Sequence, residues 1–226
     1  QYLIANLADA LSLKNTLATR QFEYVVNCGG YIDHRLFRDG GRSLIQGHFD
    51  GVQNLIECLD RGCLIRFVQL GSSDEYGDTQ APQHEEMREA PISPYSVAKA
   101  AATHFLQMLW RTEAFPAVTL RLFLTYGPGQ SPNRFLPQLI RGCLDDRTFP
   151  VSAGRQLRDF CHVDDVVLGI LRAFEPREAC GQVINLASGR AISIRSMIEQ
   201  VRRLIGRGQP DYGRLPYRAG ENMELY

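Results

Sequence analysis

Tyr95-Ser-Val-Ala-Lys99 sets a phenol and an ammonium four residues apart, in a chain with nine tyrosines but only two lysines, Lys14 and Lys99. With so few lysines a chance match to this spacing is rare, which gives a short motif more weight than usual. On a helix, positions i and i+4 share one face, one turn apart. An ammonium held beside a phenol favours the phenolate and lowers its pKa. A tyrosine tuned in this way can give or take a proton near neutral pH. Taken alone, the pair is equally compatible with a tyrosine lying over a lysine stem on an ordinary helix surface.

The segments around it have the means to place the pair at a site. Phe67-Val-Gln-Leu70 reads as a short buried strand. The small and polar run Gly71-Ser-Ser-Asp-Glu-Tyr-Gly77 that follows reads as a loop. In parallel sheets, sites form at the carboxyl ends of strands. A serine in that loop and a Tyr/Lys pair at the start of the next helix can converge on one carbonyl or hydroxyl. Pro94 suits the first turn of that helix, expected over Ser96–Thr112 with Ala98, Ala101, Ala102, Phe105, Leu106 and Leu109 on its apolar side.

Further out, strand-like and helix-like segments alternate. Strands are expected at 23–27, 117–123 and 182–186. Helices are expected at 47–61, at 164–174 with Asp164 as cap, and at 193–205 with Ser193 as cap. Strands separated by helices predict a parallel sheet covered on both faces, an α/β fold. A chain of 226 residues can bury a sizeable core. Its 25 basic and 25 acidic residues balance, so it carries no gross field that would attract nucleic acid. No apolar run approaches the roughly 18 residues of a membrane span, and no secretory signal is visible. The six cysteines are scattered without Cys-x-x-Cys spacing, which predicts free, mostly buried thiols, no metal centre and a cytoplasmic location. His162 reads as a half-buried structural residue and Trp110 as core. His34 and His48 lack a metal-like partner at i+4.

Five motifs, in order, resemble the extended short-chain dehydrogenase/reductases that act on nucleotide sugars, the NAD(P)-dependent epimerases, 4,6-dehydratases and 4-keto-reductases. They are Gly71–Gly77, Ser93-Pro-Tyr-Ser-Val-Ala-Lys99, Leu120-Arg-Leu-Phe-Leu-Thr-Tyr-Gly-Pro-Gly129, Arg158-Asp-Phe-Cys-His-Val-Asp-Asp165 and Arg218-Ala-Gly-Glu221. The resemblance runs from about Gln1 to Tyr226. It implies a Rossmann-type doubly wound parallel sheet over 1–123 and a smaller, mainly nucleotide-sugar-binding region over 124–226, with 160–187 returning to the sheet. It also implies a homodimer.

By the same resemblance Tyr95 is the catalytic acid/base, Lys99 lowers its pKa and holds the nicotinamide ribose, and Ser72 hydrogen-bonds the sugar oxygen at the reacting carbon. Ser72 is preferred to Ser73 because the family residue lies four before the loop tyrosine, here Tyr76. NAD or NADP would be contacted by Asn6, Leu7, Cys28, Gly29, Gly30, Leu70, Tyr95 and Lys99. The nucleotide sugar would be contacted by Ser72, Asp74, Asn133, Arg134, Arg158 and Arg218. Arg158 and Arg218 would clamp the pyrophosphate through forked hydrogen bonds, although Arg158 could instead pair with Asp159. No membrane or nucleic-acid partner is implied.

Three positions depart from the family pattern. His48 stands where Asn is usual, Leu124 stands where many members carry Asn, and Val25-Val-Asn-Cys-Gly-Gly30 replaces Val-x-His-Leu-Ala-Ala. No Gly-x-x-Gly-x-x-Gly turn opens the chain, and it ends just after the Arg-x-Gly-Glu motif. The expectation is therefore an internal piece of a longer protein, short of about two β–α units upstream, with impaired dinucleotide binding. A natural variant that has lost cofactor binding is the alternative. The 4,6-dehydratases need a second acid/base pair directly after the serine or threonine, where this chain has Ser73 and Asp74. Asp74-Glu75 is displaced by one. The loop and the closing Arg-Ala-Gly-Glu-Asn-Met resemble 4-keto-reductases and epimerases more closely. Oxidoreduction at C4 of a nucleotide-linked sugar is thus expected. The alternatives are a 4,6-dehydratase or a non-catalytic binding protein on the same scaffold.

Overall fold

Apolar, β-branched runs pair side by side in the computed structural model, which describes residues 2–218 and 220–226. Gln1, where the resemblance begins, and Ala219, inside the Arg218–Glu221 motif, lie outside the described residues. In chain order the elements are α1 (Ala10–Leu17), β1 (Tyr24–Asn27), α2 (Arg42–Ile45), α3 (Gly51–Cys58), β2 (Arg66–Ser72), α4 (Pro94–Glu113), β3 (Ala117–Leu122), β4 (Leu124–Tyr126), α5 (Phe135–Leu144), β5 (Thr148–Val151), β6 (Leu157–His162), α6 (Val163–Arg172), β7 (Val183–Leu186), β8 (Ala191–Ser193), α7 (Ile194–Ile205), β9 (Gln209–Tyr212) and β10 (Glu224–Leu225). They fall into two compact units. The first runs to Thr79 and takes in His84–Leu122 and Leu168–Asn185. The second is built from Gln80–Gln83, Phe123–Val167 and Leu186 onward.

The first unit carries a sheet in the order β1-β2-β3-β7. β1 and β2 pair in parallel from Tyr24↔Arg66 to Asn27↔Gln69, and β2 and β3 from Phe67↔Ala117 to Ser72↔Leu122. This is the expected α/β class with a parallel sheet. β2 is longer than its apolar run. Gly71 and Ser72 look like loop residues, yet they stay extended because Arg121 and Leu122 of β3 continue the ladder beside them. The core of this unit joins Val52, Ile56 and Leu59 to Phe67, Ala102, Leu106, Leu109 and Phe115. Each of the larger side chains among them removes apolar surface from water, worth about 1.5–3 kcal/mol when burial is complete.

Local chemistry fixes where α4 starts. Ser93 caps it by accepting from Ser96 N–H at 3.1 Å, and Ser96 Oγ accepts from Ser93 N–H at 2.9 Å, a reciprocal box ahead of Pro94. The buried positions Tyr95, Ala98, Lys99, Ala102, Thr103, Leu106 and Leu109 recur at helical spacing. α2 and α3 are joined by a π-helical turn over Gln46–Asp50, with His48 buried on it. Such bulges occur often at functional sites. Trp110 does not join the core as expected. It is 38% exposed on the outer part of α4, where Gly181 lies so close that an added Cβ would stand 1.9 Å from its ring.

Gly77 ends the turn after β2 at φ +58°, and a Cβ there would lie 1.9 Å from the Ala90 carbonyl oxygen. That carbonyl accepts Asp78 N–H at 3.0 Å, so it is not free to move. Gly77→Ala is expected to destabilise the protein by about 1–3 kcal/mol, read from the midpoint of chemical unfolding.

The second unit holds a sheet ordered β10-β6-β4, with β8 antiparallel to β6, and a separate parallel pair β5–β9. Its core centres on Leu136, Leu139, Cys143, Phe160 and Ile198. Ser193 caps α7 as expected, accepting Ser196 N–H at 3.0 Å. Asp164 does not cap α6. It sits within the first turn, because the helix already starts at Val163 directly after β6. The six cysteines are free thiols, but only Cys143 and Cys161 are buried. Cys58, Cys63 and Cys180 are half-buried and Cys28 is exposed. No helix of the described residues is long and apolar enough to cross a membrane.

Candidate active site

The site grows from the carboxyl end of β2. Ser72 is its last residue, and its Oγ accepts Asp74 N–H at 3.1 Å, capping a 3₁₀ turn over Ser73–Glu75. Capping uses a lone pair of the hydroxyl and not its O–H. The Glu75 carboxylate accepts Ser72 N–H at 2.9 Å, closing the box. Two residues earlier the Leu70 carbonyl accepts the Lys99 ammonium at 2.8 Å, which ties α4 to the same strand end.

Tyr95 lies one turn before Lys99 on α4, 4% exposed. Two imidazoles flank its ring edge-on. His48 is centred 5.0 Å away at 87°, and His34 5.9 Å away at 79°. His34 Nε2 is 3.9 Å from an Asp74 carboxylate oxygen. A chain of contacts therefore runs from Ser72 through Asp74 and His34 to Tyr95, with Lys99 anchored on the same strand. Ser72, Asp74, Tyr95, Lys99 and Leu70, all read from the sequence, are gathered at one strand end.

The electrostatics suit proton transfer. Burial pulls the Lys99 ammonium below its ordinary range, opposed by Glu75 and Cys28. A lysine so destabilised as a cation is held where a neighbouring phenolate would compensate it. Burial, with Lys99 acting in the same sense, also pulls His48 down, against the pull of the Tyr31 carbonyl. His48 Nε2 donates to that carbonyl at 2.8 Å. The tautomer is thereby fixed, and Nδ1 is a buried acceptor with no partner among the described residues.

The residues expected at a dinucleotide lie around the end of β1. Asn27 donates to Gln69 across the strand pair at 2.9 Å and accepts Gly29 N–H at 2.9 Å. Gly29 lies against Leu7, where a Cβ would stand 2.4 Å from the leucine side chain. Gly30, at φ +123°, lies against His48, where a Cβ would stand 2.3 Å from the ring. Both glycines are therefore required by close approach. Asn54 holds Leu7 through its carbonyl at 2.8 Å, and Asn6 Oδ1 accepts Ala8 N–H at 3.0 Å. Although Cys28 is exposed as a residue, partial desolvation at its sulfur raises the thiol, and Lys99 opposes the shift. His34, His48, Asn27 and Gln69 were not singled out as site residues from sequence. His48 carried one signal, as a departure from the family pattern.

Asn133, Arg134, Arg158 and Arg218 belong to the second unit. Asn133 lines an open cleft of about 450 Å³ with Gln138, Arg141, Arg147, Thr148 and Phe149, and Arg134 immediately precedes α5. Arg158 and Arg218 meet on one carboxylate. Glu221 accepts from Arg158 Nη2 at 2.7 Å and from Arg218 Nε at 3.0 Å. Asp159 is buried and accepts Ser188 N–H at 2.7 Å and Arg190 N–H at 2.9 Å.

The model of the NAD dependent epimerase/dehydratase family matches residues 2–187. The chain is 34% identical over 174 residues to GDP-6-deoxy-D-mannose reductase of Pseudomonas aeruginosa, covering 72% of this chain and 56% of the relative. It is 30% identical over 184 residues to dTDP-glucose 4,6-dehydratase of Streptomyces niveus, covering 80% and 54%. Among solved structures, UDP-glucuronic acid 4-epimerase of Bacillus cereus, in complex with UDP-glucuronic acid and NAD, superposes with a TM-score of 0.85 at 26% identity, over 96% of this chain and 70% of that one. The chain spans about half to two thirds of the length of the curated relatives it matches. By the family match over most of its length, the chain belongs to the NAD dependent epimerase/dehydratase family.

Proposed function

We propose that the protein carries out NAD(P)-dependent oxidoreduction at C4 of a nucleotide-linked sugar, as a 4-keto-reductase or epimerase. The observation that carries this reading is the gathering of Ser72, Tyr95 and Lys99 at the carboxyl end of β2, with Lys99 buried on the Leu70 carbonyl. Oxidising a carbinol requires its hydroxyl proton to leave with the hydride, and a phenolate takes it. Reducing a ketone requires the reverse. In this reading Tyr95 moves the proton, Lys99 steadies the phenolate and Ser72 donates its O–H to the reacting oxygen.

A nicotinamide dinucleotide, when bound, supplies or accepts the hydride. The chain's residues fit its nicotinamide–ribose end. A buried ammonium at Lys99 and the His48 Nδ1 acceptor, without a partner among the described residues, lie near Tyr95, which suits a ligand rich in hydroxyl donors and acceptors. Gly29 and Gly30, Leu7 and Cys28 would border it. The choice between NAD and NADP follows no residue of this site. The relatives support the class. The bacterial reductase, the dehydratase and the epimerase named above all take their names from nucleotide sugars.

The loop favours reductase or epimerase over dehydratase. Glu75 is fully buried and holds Arg121 at 2.8 Å and Thr103 at 2.8 Å, so it is committed to the scaffold. Ser73 is buried as well. Asp74 is the part-exposed carboxylate of the loop, where a dehydratase needs two groups. The test is to incubate the intact protein with NAD⁺ or NADPH and GDP-, UDP- and dTDP-linked hexoses and their 4-keto-6-deoxy forms. Consumption of NADPH with a 4-keto sugar identifies a reductase, and interconversion of C4 epimers without net cofactor change identifies an epimerase. Loss of water from a hexose, or no reaction with any of them, would sink the reading.

In this reading Arg158 anchors the substrate pyrophosphate, a contact made in ground and transition states alike. Arg158→Ala is then expected to raise the Michaelis constant about 10- to 100-fold, the worth of one charge-assisted hydrogen bond, with little change in turnover. Steady-state kinetics on the accepted nucleotide sugar checks this. A fall in turnover at unchanged Michaelis constant would remove Arg158 from the anchor.

A further inference from the structure

We propose that His34, paired with Asp74, is the route by which Tyr95 recovers its proton from solvent. The inference rests on the C4 reading above and adds to it a residue that works through Tyr95 and not on the sugar. Three observations place His34 there. Its ring stands edge-on to Tyr95, with centroids 5.9 Å apart. Its Nε2 lies 3.9 Å from the Asp74 carboxylate, and Asp74 is tied to the end of β2 because its N–H is held by Ser72. The two side chains are 38% and 31% exposed, open to water on one side while Tyr95 is buried on the other.

The second imidazole beside Tyr95 cannot do this work. His48 is 2% exposed, and its one N–H is given to the Tyr31 carbonyl, which can accept a hydrogen bond but cannot pass a proton on. Of the two imidazoles against Tyr95, the outer one is the one open to solvent. The groups facing His34 are Asp74 and Tyr95, with Asp33 and Arg35 beside it in the chain. Asp33 also lies within electrostatic reach of His34 but is bonded to Arg35, whose Nε it accepts at 2.7 Å, so Asp74 is the carboxylate paired directly with the His34 ring. Imidazole is the side chain whose ordinary titration lies nearest neutrality, which suits it to pass protons in both directions.

The route matters because ketone reduction consumes one proton per turnover. A reduced nicotinamide, when bound, would supply the hydride that the carbonyl carbon gains. The Tyr95 O–H bond breaks as its proton goes to the carbonyl oxygen, leaving a phenolate. The His34 imidazolium then gives its proton, through a water, to the phenolate. Bulk water reprotonates His34, and Asp74 balances the cation throughout. The sum is ketone, reduced nicotinamide and one proton giving alcohol and oxidised nicotinamide. An epimerase returns its proton to the same sugar and needs no such route, so His34 points to the reductase.

The test uses the intact protein with NADPH and GDP-, UDP- and dTDP-linked 4-keto-6-deoxyhexoses. His34→Gln is expected to lower turnover about tenfold or more at unchanged Michaelis constant, with the rate restored by added imidazole. In the ligand-free protein, the ¹⁵N resonances of the His34 ring are expected to move on Asp74→Asn. Unchanged turnover, a loss that imidazole does not restore, or resonances indifferent to Asp74→Asn would each overturn the proposal. Tyr95→Phe separates the two readings. If it is inactive while His34→Gln is normal, only the proton route fails. If Tyr95→Phe is active, or the parent reduces none of these sugars, the C4 reductase reading fails and the route with it.

Discussion

Tyr95→Phe is expected to cut turnover by about 100- to 10,000-fold, the usual contribution of a positioned general acid or base. Substrate binding should change little, because the lost interaction is made as the proton moves. The substitution is informative because it should leave the fold alone. The Tyr95 ring is 4% exposed and held by its contacts with His48 and His34, and phenylalanine keeps that ring. Lys99 would still reach the Leu70 carbonyl from the same helix turn. Single-turnover rates and the affinity for the nucleotide sugar, measured on one preparation, separate the two effects. A variant with near-normal turnover would remove the proton-transfer role and return the protein to the class of binding proteins built on this scaffold.

Much of this was legible in the sequence, and what was missed has a physical reason. Tyr95 and Lys99 are local, four residues apart on a helix whose start is written in Ser93 and Pro94. The strands were legible where apolar runs were continuous, as at Phe67–Leu70. The end of β2 was not, because Gly71 and Ser72 carry turn chemistry and stay extended only through pairing with β3, some 50 residues on. The convergence of His34 and His48 on Tyr95 comes from two separate segments, and no periodicity links them. Trp110 was misplaced because helical spacing gives a face, while exposure depends on what packs over it. Glu75 was read only as part of an acid pair displaced by one residue from the dehydratase positions. Its burial follows from Arg121, an ion pair across 46 residues that no local pattern encodes.

That pair carries the largest expected effect on stability. Arg121 and Glu75 are both fully buried, bonded at 2.8 Å, and Arg121 also binds the Glu89 carboxylate and lies over the Tyr76 ring at 4.5 Å. Burial works against the Arg121 charge, but Glu75, Tyr76 and Glu89 outweigh it and hold its pKa above the ordinary value. Arg121→Met is expected to destabilise the protein by about 3–5 kcal/mol, because Glu75 is left as a buried charge without its partner. Glu75 also accepts Ser72 N–H and Thr103 O–H, so the same change should loosen the turn that sets Ser72 beside the site. The double variant Arg121→Met with Glu75→Gln removes both charges, and its loss should be smaller than the sum of the two single losses. Chemical unfolding of the four proteins measures this coupling. If the losses simply add, the pair is not a mutual charge compensation.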